Sequence, residues 1–182
     1  MNEEELRRTW LDLRDGDSEA FARLYRSTSS RLLAYARQLT ADRELIADAM
    51  QEVFLAVWRG RTSLGVPNYI AAYLARALRN AILRARREWA ECEEIDLDRH
   101  LSEIDGVSRA PESDGRPSER ATLVRKLLPG LPAGQREVVH LRYYQGLTNG
   151  EIAEILGIRP QSVANKLQRA IAALRKSRAL RA

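Results

Sequence analysis

Cysteine and histidine are nearly missing from this chain of 182 residues: one thiol, Cys92, and two imidazoles, His100 and His140. A single cysteine excludes an internal disulfide and a cysteine-built zinc site, and the two histidines are not spaced as a metal pair. Aromatic residues make up only 6% of the chain. With Ala, Leu and Arg dominating instead, helices of modest size are favoured over sheets. No apolar run approaches the roughly 18 residues of a membrane span, and the opening MNEEELRRTW is charged where a secretory signal would be apolar. No phosphate-cradling G-x-x-x-x-G-K occurs, and no Ser/His/Asp set has a workable spacing. These absences point to a soluble, cytoplasmic, non-enzymatic protein without cofactor, metal or catalytic residues. Cys92 reads as a bystander at a helix end.

Charge is plentiful and unevenly placed. Lys and Arg number 30 against 25 acids, a net of +5. Residues 91–120 hold ten acids against four arginines, a net of −6, which leaves +11 on the rest. Gly106, Pro111, Gly115 and Pro117 interrupt that stretch, and it lacks apolar periodicity. It reads as a flexible acidic linker, residues 91–117, between helical domains at 1–90 and 118–182.

The C-terminal domain carries the sharpest pattern. Thr148 and Glu151 form a T-x-x-E capping box before Ile152, Ile155 and Leu156. Gly157 supplies a tight stop, and Pro160 suits the first turn of a second helix. On that second helix Val163, Leu167, Ala170, Ile171 and Leu174 share one side, and Ser162, Asn165, Lys166 and Arg169 another. Two short helices with a tight turn and a polar second helix form a helix-turn-helix, which a DNA major groove accommodates.

Four helices are expected before the linker. The first spans 3–14 with Leu6, Trp10 and Leu13 inward. The second is capped by Asp17 and runs to about Leu39, with Phe21, Leu24, Tyr25, Leu32, Leu33 and Ala36 as its apolar stripe. The third, about 42–59, has rows Leu45, Ala49, Val53, Val57 and Ile46, Met50, Phe54, Trp58 as core. Its leftover face carries Asp48, Gln51, Glu52, Leu55 and Arg59, and an exposed leucine among charges suggests a docking surface. After the GRTSLGVPN loop a fourth helix, about 68–89, buries Ile70, Tyr73, Leu74, Ala77, Leu78, Ala81 and Ile82. Between Ile70 and Arg87 it holds five arginines and no acid. Solvated helix faces usually mix both signs, so a one-sign run favours phosphate contact.

These segments together resemble the sigma factors of bacterial RNA polymerase, in their small two-domain extracytoplasmic-function (ECF) group. The resemblance rests on DSEAFARLYRSTSSRLLAYARQL (17–39), IADAMQEVFLAVW (46–58), YLARALRNAILRARR (73–87) and LPAGQREVVHLRYYQGLTNGEIAEILGI (131–158). Within them lie D-x-x-Q-E-x-F at Asp48, Gln51, Glu52 and Phe54, and A-R-x-x-R-N ending at Asn80. The resemblance implies an all-α fold, with a four-helix region 2 domain and a helix-turn-helix region 4 domain. It implies core polymerase docking through Asp48, Gln51, Glu52 and Leu55. It further implies −10 capture and melting by residues 59–69 and the fourth helix, with Asn68, Arg76, Arg79, Asn80, Arg84 and Arg87 as contacts. Reading of the −35 duplex falls to Gln161, Ser162, Asn165, Lys166 and Arg169. The chain departs from the family pattern in three places. Leu45-Ile46-Ala47 stands where acids usually precede Asp48, Arg84 where an acid often follows the asparagine, and Arg159 where serine commonly caps.

The implied partners are core RNA polymerase and promoter DNA, with an anti-sigma factor or a Ser/Thr kinase for regulation and a monomer when free. Phosphorylation at Thr40, or at Thr62 or Ser63, would replace the thinned acidity before Asp48. Two rival readings stay open. One is a response-regulator-type helix-turn-helix activator that binds its operator without core polymerase. The other is an RNA-binding adaptor. The activator does not explain residues 42–87; the adaptor is favoured if residues 70–87 bind RNA and 160–175 bind nothing.

Overall fold

Local side-chain caps set four of the seven α-helix starts in the computed structural model, which describes residues 2–93 and 128–179. Helix α1 (Glu3–Arg14) opens on a capping box in which the Asn2 side chain accepts from the Glu5 N–H and Glu5 accepts in return. It ends at a turn that needs Gly16, whose φ is +94°. Helix α2 (Ser18–Leu39) starts from Asp17, whose carboxylate accepts from the Glu19 N–H at 2.8 Å. Hydrogen bonds from the Ala20 and Glu19 backbone, then the Arg23 charge, hold the Asp17 carboxyl below its ordinary pKa. Helix α3 (Arg43–Gly60) is capped by Asp42, which accepts from Glu44 and Leu45 N–H at 2.9 and 3.1 Å. Helix α4 (Ile70–Glu93) follows the loop.

The four helices pack around Trp10, Leu13, Leu24, Tyr35, Ile70, Leu74, Leu78 and Ile82, all fully buried. The α3 row Leu45, Ala49, Val53 and Val57 is buried, as its spacing predicts. Several details differ from the sequence reading: Met50 and Trp58 of the second α3 row, and Tyr73 and Ala77 of α4, are half-buried. Helix α4 starts at Ile70, two residues later than expected. Phe21 is half-buried and Tyr25 is 46% exposed, so the outer half of the expected α2 stripe lies outside the core.

The chain divides into two compact units between Ile95 and Asp96. In the second, a 3₁₀ turn (Leu128–Gly130) leads to α5 (Ala133–Val139), which continues into a π-helical segment at His140–Tyr144. Helix α6 (Asn149–Leu156) carries the expected capping box, Thr148 with Glu151, and ends at Gly157 with φ +65°. Helix α7 (Pro160–Ala179) then packs on α5 and α6 through Val163, Leu167 and Ala170 against a core that includes Val138, Ile152 and Ile155. Among the described residues there is no strand. The acidic linker at 91–117 lies almost wholly outside them, and so does the start of the second domain expected at 118.

Candidate functional site

Three separate faces gather the residues singled out in the sequence. On α3, Asp48, Gln51, Glu52 and Leu55 are all exposed, because the buried rows consume the opposite side of the helix. Beside them lies something the sequence reading missed, a groove of about 780 Å³ between α2 and α3. Phe21, Tyr25, Leu33, Ile46, Met50 and Phe54 form its apolar wall, and Gln51 and Leu55 stand at the α3 side. The Phe54 ring meets Tyr25 at 4.8 Å and Phe21 at 6.1 Å, edge to face in each case. An apolar groove rimmed by polar side chains is a surface shaped for a protein partner. An α2 stripe wider than one neighbouring helix can cover was the available signal.

The second face lies on α4 and the loop before it. Asn68, Arg76, Asn80, Arg84 and Arg87 are exposed. Arg76, Asn80, Arg84 and Arg87 fall within a sector of about 80°, since each residue turns the helix by about 100°. Arg79 lies about 60° outside that sector and is half-buried. The arginine run is not wholly a binding face, however. Arg86 is half-buried and donates to the Leu39 carbonyl at 2.8 Å, closing an open backbone acceptor at the end of α2. Burial pushes the Arg86 pKa down. Arg84 pairs with Glu52 of α3, whose hydrogen bond and negative charge raise the arginine pKa.

The loop is tied at several points. Arg61 stacks its guanidinium 4.4 Å over the Trp58 ring and donates to the Trp58 carbonyl at 2.8 Å. The Trp10 indole N–H donates to the Gly65 carbonyl at 3.2 Å, and the Ile70 N–H donates to the Glu3 carboxylate at 2.7 Å. Asn68 and Tyr69, between those two ties, are exposed.

The third face is the start of α7. Gln161, Asn165 and Arg169 are exposed, and Ser162 and Lys166 are half-buried. The Gln161 amide donates to the Asn165 carbonyl oxygen at 3.2 Å. The Lys166 ammonium leans back to α5, 3.3 Å from where a β-carbon on Gly134 would stand. Arg159 offers no side-chain cap, but its carbonyl accepts from the Ser162 and Val163 N–H groups and closes the first turn. Arg142 donates to the Leu147 carbonyl at 2.8 Å, steadying the turn into α6.

One sequence reading changes. Thr40 is buried, 7% exposed, and its hydroxyl oxygen accepts from the Asp42 N–H. Asp42, not Thr40, caps α3, so a kinase cannot reach Thr40 in the folded chain, whereas Thr62 and Ser63 are exposed. His140, which the sequence marks only as no metal pair with His100, lies in the core of the second unit. It is buried, stacked on Tyr144 at 5.3 Å, and its Nδ1 has no hydrogen-bond partner. Burial pushes its pKa down to about 4, against a weaker upward pull from Glu137. Among the described residues no cluster could hold a metal ion, and no helix is long and apolar enough to cross a membrane.

Comparison with known proteins matches two segments to one family. The model of sigma-70 region 2 covers residues 24–90, and that of sigma-70 region 4 covers residues 121–174. An ECF RNA polymerase sigma factor SigK from Mycolicibacterium vanbaalenii is 29% identical over 162 residues, 88% of this chain and 82% of the relative. The protein of the same description from Mycobacterium tuberculosis strain H37Rv is 26% identical over 165 residues, 87% of this chain and 86% of the relative. Among solved structures, CnrH in complex with the cytosolic domain of CnrY matches with TM-score 0.65 and 22% identity, over 97% of this chain and 98% of that one. The sigma factor RpoE bound to the anti-sigma factor NepR, from Bartonella quintana, matches with TM-score 0.63 and 21% identity, over 86% and 94%. At such identities the two structures speak to the fold.

Proposed function

This chain belongs to the ECF group of the sigma-70 family, and from that premise we propose how its three exposed faces divide the work of promoter-specific initiation. It is an alternative sigma factor, binding core RNA polymerase and directing transcription from selected promoters. The face of Asp48, Gln51, Glu52 and Leu55, with the groove beside it, docks on core polymerase. Asn68, Arg76, Arg79, Asn80, Arg84 and Arg87 capture the −10 element as it melts. Flipping a base from the stack costs a few kcal/mol, and a cationic surface that holds single-stranded DNA offsets that cost. Gln161, Ser162, Asn165, Lys166 and Arg169 read the −35 duplex from the major groove. The protein acts by binding rather than by catalysis, and in the cytoplasm where the polymerase works. The functional division is residues 1–90, the 91–117 linker and residues 118–182. An anti-sigma factor is the regulatory partner that fits this reading.

The observation that carries the proposal is the composition of the α3 face: charges and an exposed leucine beside an apolar groove. A helix-turn-helix activator acting alone has no use for that surface, and the region 2 match at 24–90 disfavours that rival. The test is co-purification with core polymerase followed by run-off transcription. Asp48→Lys with Glu52→Lys should abolish co-purification while the helical circular-dichroism spectrum stays intact. Unchanged co-purification would remove α3 from the core contact.

A further inference from the structure

Helix α1 precedes the residues that match region 2, yet it holds both ends of the segment that joins the loop to α4. At one end the fully buried Trp10 donates its indole N–H to the Gly65 carbonyl, and its ring meets Tyr73 edge-on at 5.6 Å. At the other end Glu3 accepts from the backbone N–H of Ile70, the first residue of α4. That bond answers a local deficiency. The opening N–H groups of a helix have no intrahelical acceptor, and Tyr69, just before α4, is not a capping residue type. The cap is therefore supplied from 67 residues away.

Between the two ties stand Val66, Pro67, Asn68 and Tyr69. Pro67 has no N–H to give, so the segment between Gly65 and Ile70 is poor in bonds of its own. Asn68 and Tyr69 are exposed, one offering amide donors and an acceptor, the other an aromatic face. Those are the two chemistries by which an unstacked base is held: hydrogen bonds to its edge and stacking on its plane. The direction in which both point is fixed by where Gly65 and Ile70 are pinned. Helix α1 is a firm support, since its own start is closed by the Asn2–Glu5 capping box and Leu6, Trp10 and Leu13 are buried.

We infer that α1 is a positioning element for promoter opening: Trp10 and Glu3 pin the Gly65–Ile70 segment so that Asn68 and Tyr69 receive the separated −10 strand. The inference rests on the reading above, in which this loop takes single-stranded DNA. Neither Trp10 nor Glu3 need touch the DNA; they act through the backbone they hold.

The test uses full-length protein reconstituted with core polymerase and a promoter carrying a fluorescent base analogue in the −10 non-template strand. Trp10→Phe keeps an aromatic ring but removes the N–H along with part of the indole; Glu3→Ala removes the cap; Glu3→Gln keeps a carbonyl acceptor. Trp10→Phe and Glu3→Ala should each reduce opening of duplex promoter roughly fivefold, the worth of one lost hydrogen bond. Core binding and −35 duplex binding should hold at wild-type levels, and Glu3→Gln should restore most of the opening. Asn68→Ala and Asn80→Ala report on the underlying reading. If those two impair opening while Trp10→Phe and Glu3→Ala do not, the positioning role is overturned and the loop's DNA role survives. If neither asparagine variant impairs opening, the loop reading falls and the inference falls with it. A parallel loss of core binding and melting temperature in Trp10→Phe and Glu3→Ala would show general destabilisation and also overturn it.

Discussion

Arg84 on α4 and Glu52 on α3 form an ion pair, so one residue of the proposed DNA face and one of the proposed polymerase face are engaged with each other. Both side chains are more than half exposed, 57% and 55%, and such a pair is worth about 0–1 kcal/mol. That is too little to hold the fold but enough to compete with a partner for the same carboxylate. Arg84→Ala should therefore free Glu52 and strengthen core binding by roughly two- to fivefold at low salt. The gain should vanish as salt rises, since exposed charges are screened within about 10 Å at 0.1 M. Fluorescence titration of labelled core at two ionic strengths measures it. No gain at low salt would show that the pair does not compete with the core contact.

At the third face, the Gln161–Asn165 hydrogen bond ties two proposed base readers together. With its carbonyl engaged by Gln161, Asn165 keeps its N–H groups for the base-edge acceptors that the proposed reading assigns to it. Asn165→Ala should cost about 1–3 kcal/mol at one or two −35 positions. Gln161→Ala should release the Asn165 amide and flatten discrimination at those same positions. Binding to a set of singly substituted −35 duplexes compares the variants. Coupled residues make the double variant non-additive, and strictly additive effects would show that Gln161 does not orient Asn165.

What the sequence made legible was local. Asp17 and the Thr148–Glu151 box each bond to backbone within three residues, so local motifs placed the starts of α2 and α6. The α3 row Leu45, Ala49, Val53 and Val57, at spacings of four, identified the core, and Asp48, Gln51, Glu52 and Leu55, left over, are exposed. What escaped lies far apart along the chain. The start of α4 was set two residues early because its cap is Glu3, 67 residues upstream. Arg86 looked like one more phosphate contact because its acceptor, the Leu39 carbonyl, is 47 residues away. The α2–α3 groove was hidden because Phe21 and Tyr25 read as core until it was known which helix failed to cover them. The π-helical turn at His140–Tyr144 has no sequence signature of the capping kind.

Burial at Thr40 reverses the expected effect of a phosphate mimic. The residue closes α2, its hydroxyl bonds to the Asp42 N–H, and its side chain is enclosed. Glutamate there would place an unpaired carboxylate in a nearly dry site, which is costly. Thr40→Glu should lower the melting temperature and bring no gain in core affinity. Thr62→Glu and Ser63→Glu, in the exposed loop, should leave the melting temperature within a degree or two, as surface substitutions do. Differential scanning calorimetry with core titration separates the two classes. A stable Thr40→Glu variant with tighter core binding would restore the phosphorylation reading at this position.

The buried His140 makes the second unit acid-sensitive. In the folded chain its pKa is pushed down to about 4 by burial, from an ordinary value of 6.5. The unfolded chain therefore takes up the proton first as pH falls. Stability from this residue is fully present above about pH 6.5 and drains away as pH drops toward 4. A displacement of that size corresponds to about 3 kcal/mol across the window. All three tryptophans, Trp10, Trp58 and Trp89, belong to the first unit, so their fluorescence follows that unit and serves as an internal control. Amide hydrogen exchange in α5 to α7, corrected for intrinsic rates, follows the second. Protection there should fall between pH 6.5 and 4.5, ahead of any change in tryptophan emission. His140→Phe fills the same space beside Tyr144, carries no proton and leaves no unpartnered Nδ1, so its exchange should lose the pH slope. A variant that keeps the wild-type slope would assign the acid sensitivity to carboxylates elsewhere in the unit.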